Sequence, residues 1–318
     1  MNITPFAAID IGSNTIRMII AHRASGTPPW QILHYHHHIA RLGDGVRKSG
    51  RLGEAGAARA LSALHDLLAR CQRFGVATDH IYATATAAVR QAENGQDFCR
   101  MVERECKILV RILSGDEEAA LSLRGAATVL ESEVRQSMLL FDIGGGSTEF
   151  ITVRDGAITH AISRPLGVIR LVEEGLQSNP PTTEDWQCMR NLADAELDAV
   201  DASWAASPSS QQATKHLVGT AGTVTTLAAV AMDLHPYDAA AINRFVLKRA
   251  HFDQLKNTLC AMDLASRQAI PAIEQGRADL IIAGLVIIEA IFDRWGHTAL
   301  RTVDSGLMEG VLSEALTG

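Results

Sequence analysis

The sequence predicts an α/β protein of two similar domains, and three observations carry that expectation. At 318 residues the chain is longer than the roughly 250–300 at which a single core stops growing. Its first 130 residues read as three strands followed by strand–helix alternation. From Ser137 the same order starts again.

The first three segments, Phe6 to Ile11, Thr15 to His22 and Trp30 to Leu42, are rich in β-branched and aromatic residues and form a meander. Between Glu54 and Val76, Ala57, Ala60, Leu61, Leu64, Leu67 and Leu68 recur at helical spacing, and Gly75 closes the segment. Short buried strands follow at Ile81 to Ala85 and Ile108 to Leu113, separated by a helix from Gln96 to Cys106; another helix runs from Asp116 to Leu130. In the second half, strands are expected at Ser137 to Ile143, Glu149 to Arg154, Ala157 to Ser163, His216 to Gly219 and Leu300 to Asp304. Helices are expected at Ile169 to Gly175, Glu184 to Ala205, Ala221 to Met232, His251 to Met262, Arg277 to Arg294 and Gly306 to Leu316. Ser207 to Ala213 reads as a polar loop.

Composition removes several function classes. Hydrophobic residues are 47% and charged residues 20%, the usage of a folded protein. Lys and Arg number 29 against 36 Asp and Glu, a net charge of −7, so no global basic field exists to hold nucleic acid. Met1 to Ala8 lacks a basic leader region, and the longest apolar run near the C-terminus, Leu280 to Ile288, falls short of the roughly 20 residues needed to cross a bilayer. That run reads as a buried helix. The five cysteines are widely spaced with no Cys-x-x-Cys pair, which fits a reducing cytoplasm. Trp186, Trp204 and Trp295 read as packing residues.

A repeat emerges in the candidate chemistry. Asp10-Ile11-Gly12-Ser13-Asn14-Thr15 and Asp142-Ile143-Gly144-Gly145-Gly146-Ser147-Thr148 lie 132 residues apart, each a strand, an Asp-Ile-Gly and a hydroxyl-bearing turn before the next strand. Taken alone, either is an ordinary hairpin; together they point to a function. Glycine-rich turns bring backbone N–H groups close to an anion, and Ser13, Thr15, Ser147 and Thr148 offer hydroxyl donors. Two such turns facing each other would clamp a phosphate. Asp10 and Asp142, each ending a strand beside its turn, are placed to hold Mg²⁺, which takes one or two carboxylates plus phosphate oxygens. No Gly-x-x-x-x-Gly-Lys-Ser/Thr loop occurs, and the glycine run precedes a strand rather than the helix of a dinucleotide fingerprint.

His34, His36, His37 and His38 cluster on the third strand, where His36 and His38 point one way and His37 the other. No cysteine or carboxylate accompanies them at ligand spacing, so they read as solvated or stacked; His65-Asp66, mid-helix, reads as helix surface.

The two turns belong to a longer ordered set. It runs through Arg41-Leu42-Gly43-Asp44-Gly45, Ala83-Thr84-Ala85-Thr86 with Arg90 and Asn94, Ser114-Gly115-Asp116-Glu117-Glu118-Ala119, Pro165-Leu166-Gly167, Gly219-Thr220-Ala221-Gly222-Thr223, and Asp304 to Gly310. The set resembles the exopolyphosphatase and guanosine pentaphosphate phosphatase family, within the superfamily of actin, sugar kinases and heat-shock chaperones. The resemblance implies two ribonuclease-H-like (actin-like ATPase) domains, 1–123 plus 302–318 and 124–301, with the active site in a central interdomain cleft. Closure of that cleft is expected, with the chain crossing near Leu121 to Ala127 and Arg301 to Asp304.

The implied activity is hydrolysis of a terminal phosphoanhydride. The resemblance assigns Glu118 as the base that activates water and Arg90 as the guanidinium that reaches the phosphate; Glu149 helps place metal or water. A carboxylate in reach of an in-line water can orient it and accept its proton. Asp116 and Glu117 read as first-turn helix residues only. By the same resemblance Asn14 and Thr86 contact phosphate, and Gly222 and Thr223 line the second domain's side. Gly12, Gly144, Gly145 and Gly146 form the phosphate-facing turns; Asp10, Asp142 and Glu149 hold Mg²⁺, with Mn²⁺ as the other candidate.

The expected substrate is inorganic polyphosphate, with guanosine pentaphosphate as the alternative. The chain ends at Gly318, before the further helical domain of long family members, so short chains or a nucleotide are expected to suit it. A homodimer is implied by the resemblance. Two other readings stand beside it: a non-catalytic phosphate or nucleotide sensor, against which the presence of Glu118 and Glu149 argues, and phosphotransfer to an acceptor whose binding site is not identifiable in the sequence.

Overall fold

The computed structural model describes residues 4–26, 28–205 and 214–317. The expected loop Ser207 to Ala213 lies outside them. The chain forms two compact units, Met1–Val129 with Ser305–Gly318, and Leu130–Asp304. The expected crossing at 123/124 falls inside the helix Gly115–Ala126, whose far end packs within the first unit.

In the first unit, β1 (Pro5–Ile11), β2 (Thr15–Arg23), β3 (Trp30–Ile39), β4 (Ile81–Ala85) and β5 (Val110–Ile112) make one sheet ordered β3-β2-β1-β4-β5. β2 runs antiparallel to β1 and β3, whereas β1, β4 and β5 are parallel. Alternate residues of central β1 feed opposite cores, as a period of two requires. Ala7, Ile9 and Ile11 pack with Ala60, Leu64 and Leu67 of the helix Glu54–Arg73. Phe6 and Ala8 pack with Leu121, Leu307, Met308 and Leu312. That second core joins the helices Gly115–Ala126 and Leu307–Thr317, whose backbones touch: a Cβ on Gly125 would strike Gly306 O, and one on Gly310 would strike Leu121 O. The crossing fixes the C-terminal segment to the first unit and seats the helix that carries Glu118.

The second unit repeats the plan. β6 (Ser137–Ile143), β7 (Thr148–Arg154), β8 (Ala157–Arg164), β9 (His216–Thr220), β10 (Val246–Lys248) and β11 (Ala299–Thr302) are ordered β10-β11-β9-β6-β7-β8. Read from the other edge, β8-β7-β6-β9-β11 matches the first sheet strand for strand in order and direction, with β10 added antiparallel at the end. Each unit is thus α/β and ribonuclease-H-like. The apolar run after Leu280 is the helix Ile281–Trp295, buried from Ile281 to Phe292. No described helix is long and apolar enough to cross a membrane.

Several local expectations change. β3 stops at Ile39 rather than Leu42, because Arg41 takes φ 49° and turns the chain. The helix Ala87–Gln91 and strand β10 were not expected; at 5 and 3 residues they are too short to show a period.

Candidate active site

The two repeated turns are built alike. In the first unit Gly12 N donates to Thr15 O at 3.0 Å, and Ile11 pairs with Ile16. In the second Gly144 N donates to Ser147 O at 2.9 Å, and Ile143 pairs with Thr148. A second conserved-in-plan contact braces each turn from behind. Gly43 N donates to Ser13 O at 2.8 Å, and a Cβ there would lie 2.9 Å from Ser13 Cβ. Gly167 lies so close to Gly145 that a Cβ would strike the Gly145 carbonyl oxygen. The pairs Leu42-Gly43 and Leu166-Gly167 therefore extend the repeat beyond the turns. Both glycines serve close approach.

Around the first turn, Asp10, Ser13 and Asn14 are buried. Asp10 Oδ1 and Asn14 Oδ1 have no hydrogen-bond partner, although a buried polar atom without one is costly. The other Asp10 oxygen, Oδ2, accepts from Arg17 Nε at 3.1 Å and Nη2 at 2.6 Å. Thr86, at the end of β4, donates its N–H to Ile11 O at 3.3 Å, so it stands beside this turn. Four residues later, Arg90 Nη1 donates to Glu118 Oε2 at 2.7 Å and to Leu113 O at 2.8 Å.

Glu118 is 7% exposed and sits in the first turn of its helix. Ser114 and Glu117 form a capping box there: Ser114 Oγ accepts from Glu117 N, and Ser114 N donates to Glu117 Oε2. Hydrogen bonding from Arg111 holds the Glu117 carboxyl down at about 2. Glu117 is thus a helix-start residue, and the capped turn, the Arg90 bond and the Gly125–Gly310 crossing hold Glu118 in place.

In the second unit the position equivalent to Arg17 is Glu149. It pairs directly across the ladder with Asp142, as Arg17 does with Asp10. Both carboxylates are buried, Glu149 at 1% exposure. Glu149 Oε1 accepts from Ser147 Oγ at 2.8 Å and Ser163 Oγ at 2.7 Å. Thr148 Oγ1 donates to Leu166 O. These bonds correct one expectation: the hydroxyls of Ser147 and Thr148 face inward and brace the turn rather than presenting donors to an anion. Gly144, Gly145 and Gly146 are half-buried, so their backbone remains the turn's accessible surface.

Gly222 and Thr223 lie in the first turn of the helix Ala221–Ala231, capped by Thr220, which pairs with Asp142. The Arg277 guanidinium rests on Gly222, with Cζ 2.8 Å from where a Cβ would stand. The Thr223 methyl is directed onto Gly284.

Sequence reasoning missed Arg17, Ser163 and Arg277. Arg17 had an available signal, since it lies seven residues after Asp10 as Glu149 does after Asp142. Ser163 and Arg277 are joined to the site only by folding.

The donor set of the second turn suits a divalent cation. Two carboxylates on directly opposed strand positions have Cβ atoms about 4.5–5.5 Å apart, and two buried negative charges at that separation call for a cation or a proton. Within the second unit Asp142 and Glu149 would hold Mg²⁺; in the first unit Asp10 Oδ1 is a buried oxygen with no hydrogen-bond partner.

A glycine turn beside buried carboxylates, repeated in each unit, suits a class of enzymes that handles phosphate with a cation. Comparison with known proteins places the chain within that class. The model of the Ppx/GppA phosphatase family matches residues 19–317, and the chain belongs to that family. Exopolyphosphatase 2 of Mycobacterium tuberculosis strain H37Rv is 32% identical over 322 residues, covering 98% of each chain. Among solved structures, an exopolyphosphatase from Cytophaga hutchinsonii superposes with TM-score 0.90 at 27% identity, covering 99% of this chain and 98% of that one. The Ppx/GppA family member of Aquifex aeolicus superposes with TM-score 0.79 at 28% identity, covering 99% and 98%. The protein is a phosphoanhydride hydrolase of α/β fold.

Proposed function

We propose that the chain is a Mg²⁺-dependent exopolyphosphatase in which Glu118 activates the attacking water. The observation that carries this reading is the seat of Glu118. It is a buried carboxylate at a capped helix start, with Oε2 held 2.7 Å from Arg90 Nη1. A side chain so fixed is pre-organised to orient one water. Water attacks the terminal phosphorus and Glu118 takes its proton. The bridging P–O bond breaks, and orthophosphate separates from a chain one unit shorter. Arg90, held in turn by Leu113 O, offsets negative charge on the transferring group. When bound, Mg²⁺ neutralises phosphate oxygens and favours departure of the leaving oxyanion.

Relatives named exopolyphosphatases, similar along nearly their whole length, support the substrate class. Guanosine pentaphosphate offers the same terminal bond. The test is orthophosphate release with Mg²⁺ from short polyphosphate, long polyphosphate and guanosine pentaphosphate in parallel. Fastest release is expected from polyphosphate. Faster release from guanosine pentaphosphate would reassign the substrate; tight binding without release from any would make the protein a sensor.

A further inference from the structure

β3 carries His34, His36 and His38 at alternate positions, so they share one face. The helix Glu54–Arg73 sets Asp66 and Arg70 four residues apart, with Phe74 four further on at its C-cap, along one stripe. Two residues of strand advance about 6.7 Å and four of helix about 6 Å, so the two rows stay in step. His34 stacks on Phe74 with ring centroids 5.1 Å apart. At the other end of the rows, His38 Nε2 lies 2.9 Å from Asp66 Oδ2, and His36 Nε2 lies 3.6 Å from the same oxygen. All three ligand atoms fall within 4.8 Å of one another. The sequence expectation that no carboxylate accompanies these histidines is therefore corrected: the fold supplies Asp66 from 28 residues away from His38.

We propose that His36, His38 and Asp66 form a binding site for a first-row transition-metal dication of the Zn²⁺ class, clamping edge strand β3 to the helix Glu54–Arg73. Two imidazoles and one carboxylate form a nitrogen-rich set that suits Zn²⁺, whereas Mg²⁺ takes oxygen ligands. Zinc bonds of about 2.0–2.2 Å put the ligand atoms of a tetrahedral site about 3.3–3.6 Å apart; the observed 3.6 Å lies at the upper end of that range and 2.9 Å a little below it. Water completes the shell, and the three side chains are 30%, 36% and 42% exposed, which leaves the ion a path in. Arg70 Nε donates to Asp66 Oδ2 at 2.8 Å. The metal takes over that oxygen, so the guanidinium opposes binding and sets its strength. None of these residues belongs to the phosphoanhydride site.

The test uses the untagged full-length chain with Mg²⁺ in excess, titrated with ZnCl₂ by calorimetry and with Co²⁺ as a visible-absorption probe. One ion per chain is expected at this site. Loss of an outer-shell partner alone weakens a metal site about 10–100-fold, so His38→Ala or Asp66→Asn is expected to weaken binding by about 100-fold or more. Zn²⁺ is expected to raise the thermal midpoint of the wild type but not of His38→Ala. Arg70→Gln removes a like charge close to the ion and is expected to tighten binding by about tenfold. A gain there, in a variant of the same surface, separates lost ligands from lost folding. Absence of saturable Zn²⁺ uptake, or uptake unchanged in the His36→Ala/His38→Ala double variant, overturns the proposal. Binding that is unchanged or weaker in Arg70→Gln also contradicts it.

Discussion

The turn after β1 and the turn after β6 share backbone plan, closing hydrogen bond and bracing glycine, yet they differ in one opposed pair. Asp10 faces Arg17, whereas Asp142 faces Glu149. In the first unit the guanidinium grips Asp10 Oδ2 and cancels its charge. In the second, two hydroxyls hold Glu149 beside a second buried carboxylate. One scaffold thus carries a neutral pair in one half and an acidic pair in the other. A duplicated turn can keep its shape while a single substitution decides whether it demands a cation. On this comparison the second turn, with its two buried carboxylates, is the one expected to call for a cation.

The largest expected effect tests that division. Glu149→Gln is expected to lower Mg²⁺-dependent phosphate release about 10²–10³-fold and to raise the Mg²⁺ concentration giving half-maximal rate. Arg17→Met is expected to leave that concentration nearly unchanged. Steady-state rates across a Mg²⁺ titration separate the two; equal shifts in both variants would break the asymmetry.

The bracing glycines give the next contrast, read by urea unfolding. Gly167→Ala drives a methyl into the Gly145 carbonyl, an overpacking expected to cost about 3 kcal/mol, near the upper end for such changes. Gly43→Ala meets Ser13 Cβ at 2.9 Å, a contact that a small shift relieves, and about 1 kcal/mol is expected. The reverse order would show that the first turn is the more rigid.

The smallest effect concerns the helix that carries Glu118. Glu117→Ala removes the capping box and is expected to cost about 1 kcal/mol in thermal unfolding. The folded-state value of about 2 lies below the ordinary 4.5, so the contribution is present above pH 4.5. It fades as pH falls from 4.5 toward 2 in the wild type, and the variant lacks that fading.

What the sequence made legible follows from what is local. Strand order, the restart at Ser137, the two Asp-Ile-Gly turns and the Ser114 to Ala119 segment rest on short-range pattern and appear in the structure as elements. The direction of the Ser147 and Thr148 hydroxyls was not legible, because hydroxyl-rich turns serve an anion or brace themselves equally well. Arg277 over Gly222 and Asp66 beside His38 depend on packing between distant segments, which no spacing rule records. Arg17 lay within reach, had the repeat been carried two residues past Thr15.

The most direct measurement is orthophosphate release from polyphosphate by wild type and Glu118→Gln at saturating substrate and Mg²⁺, with substrate binding measured separately. If Glu118 is the base, the variant loses about 10²–10⁴-fold in kcat while its binding of polyphosphate stays within a few-fold of wild type. A variant that releases phosphate at near the wild-type rate would contradict the assignment of Glu118 and the mechanism built on it.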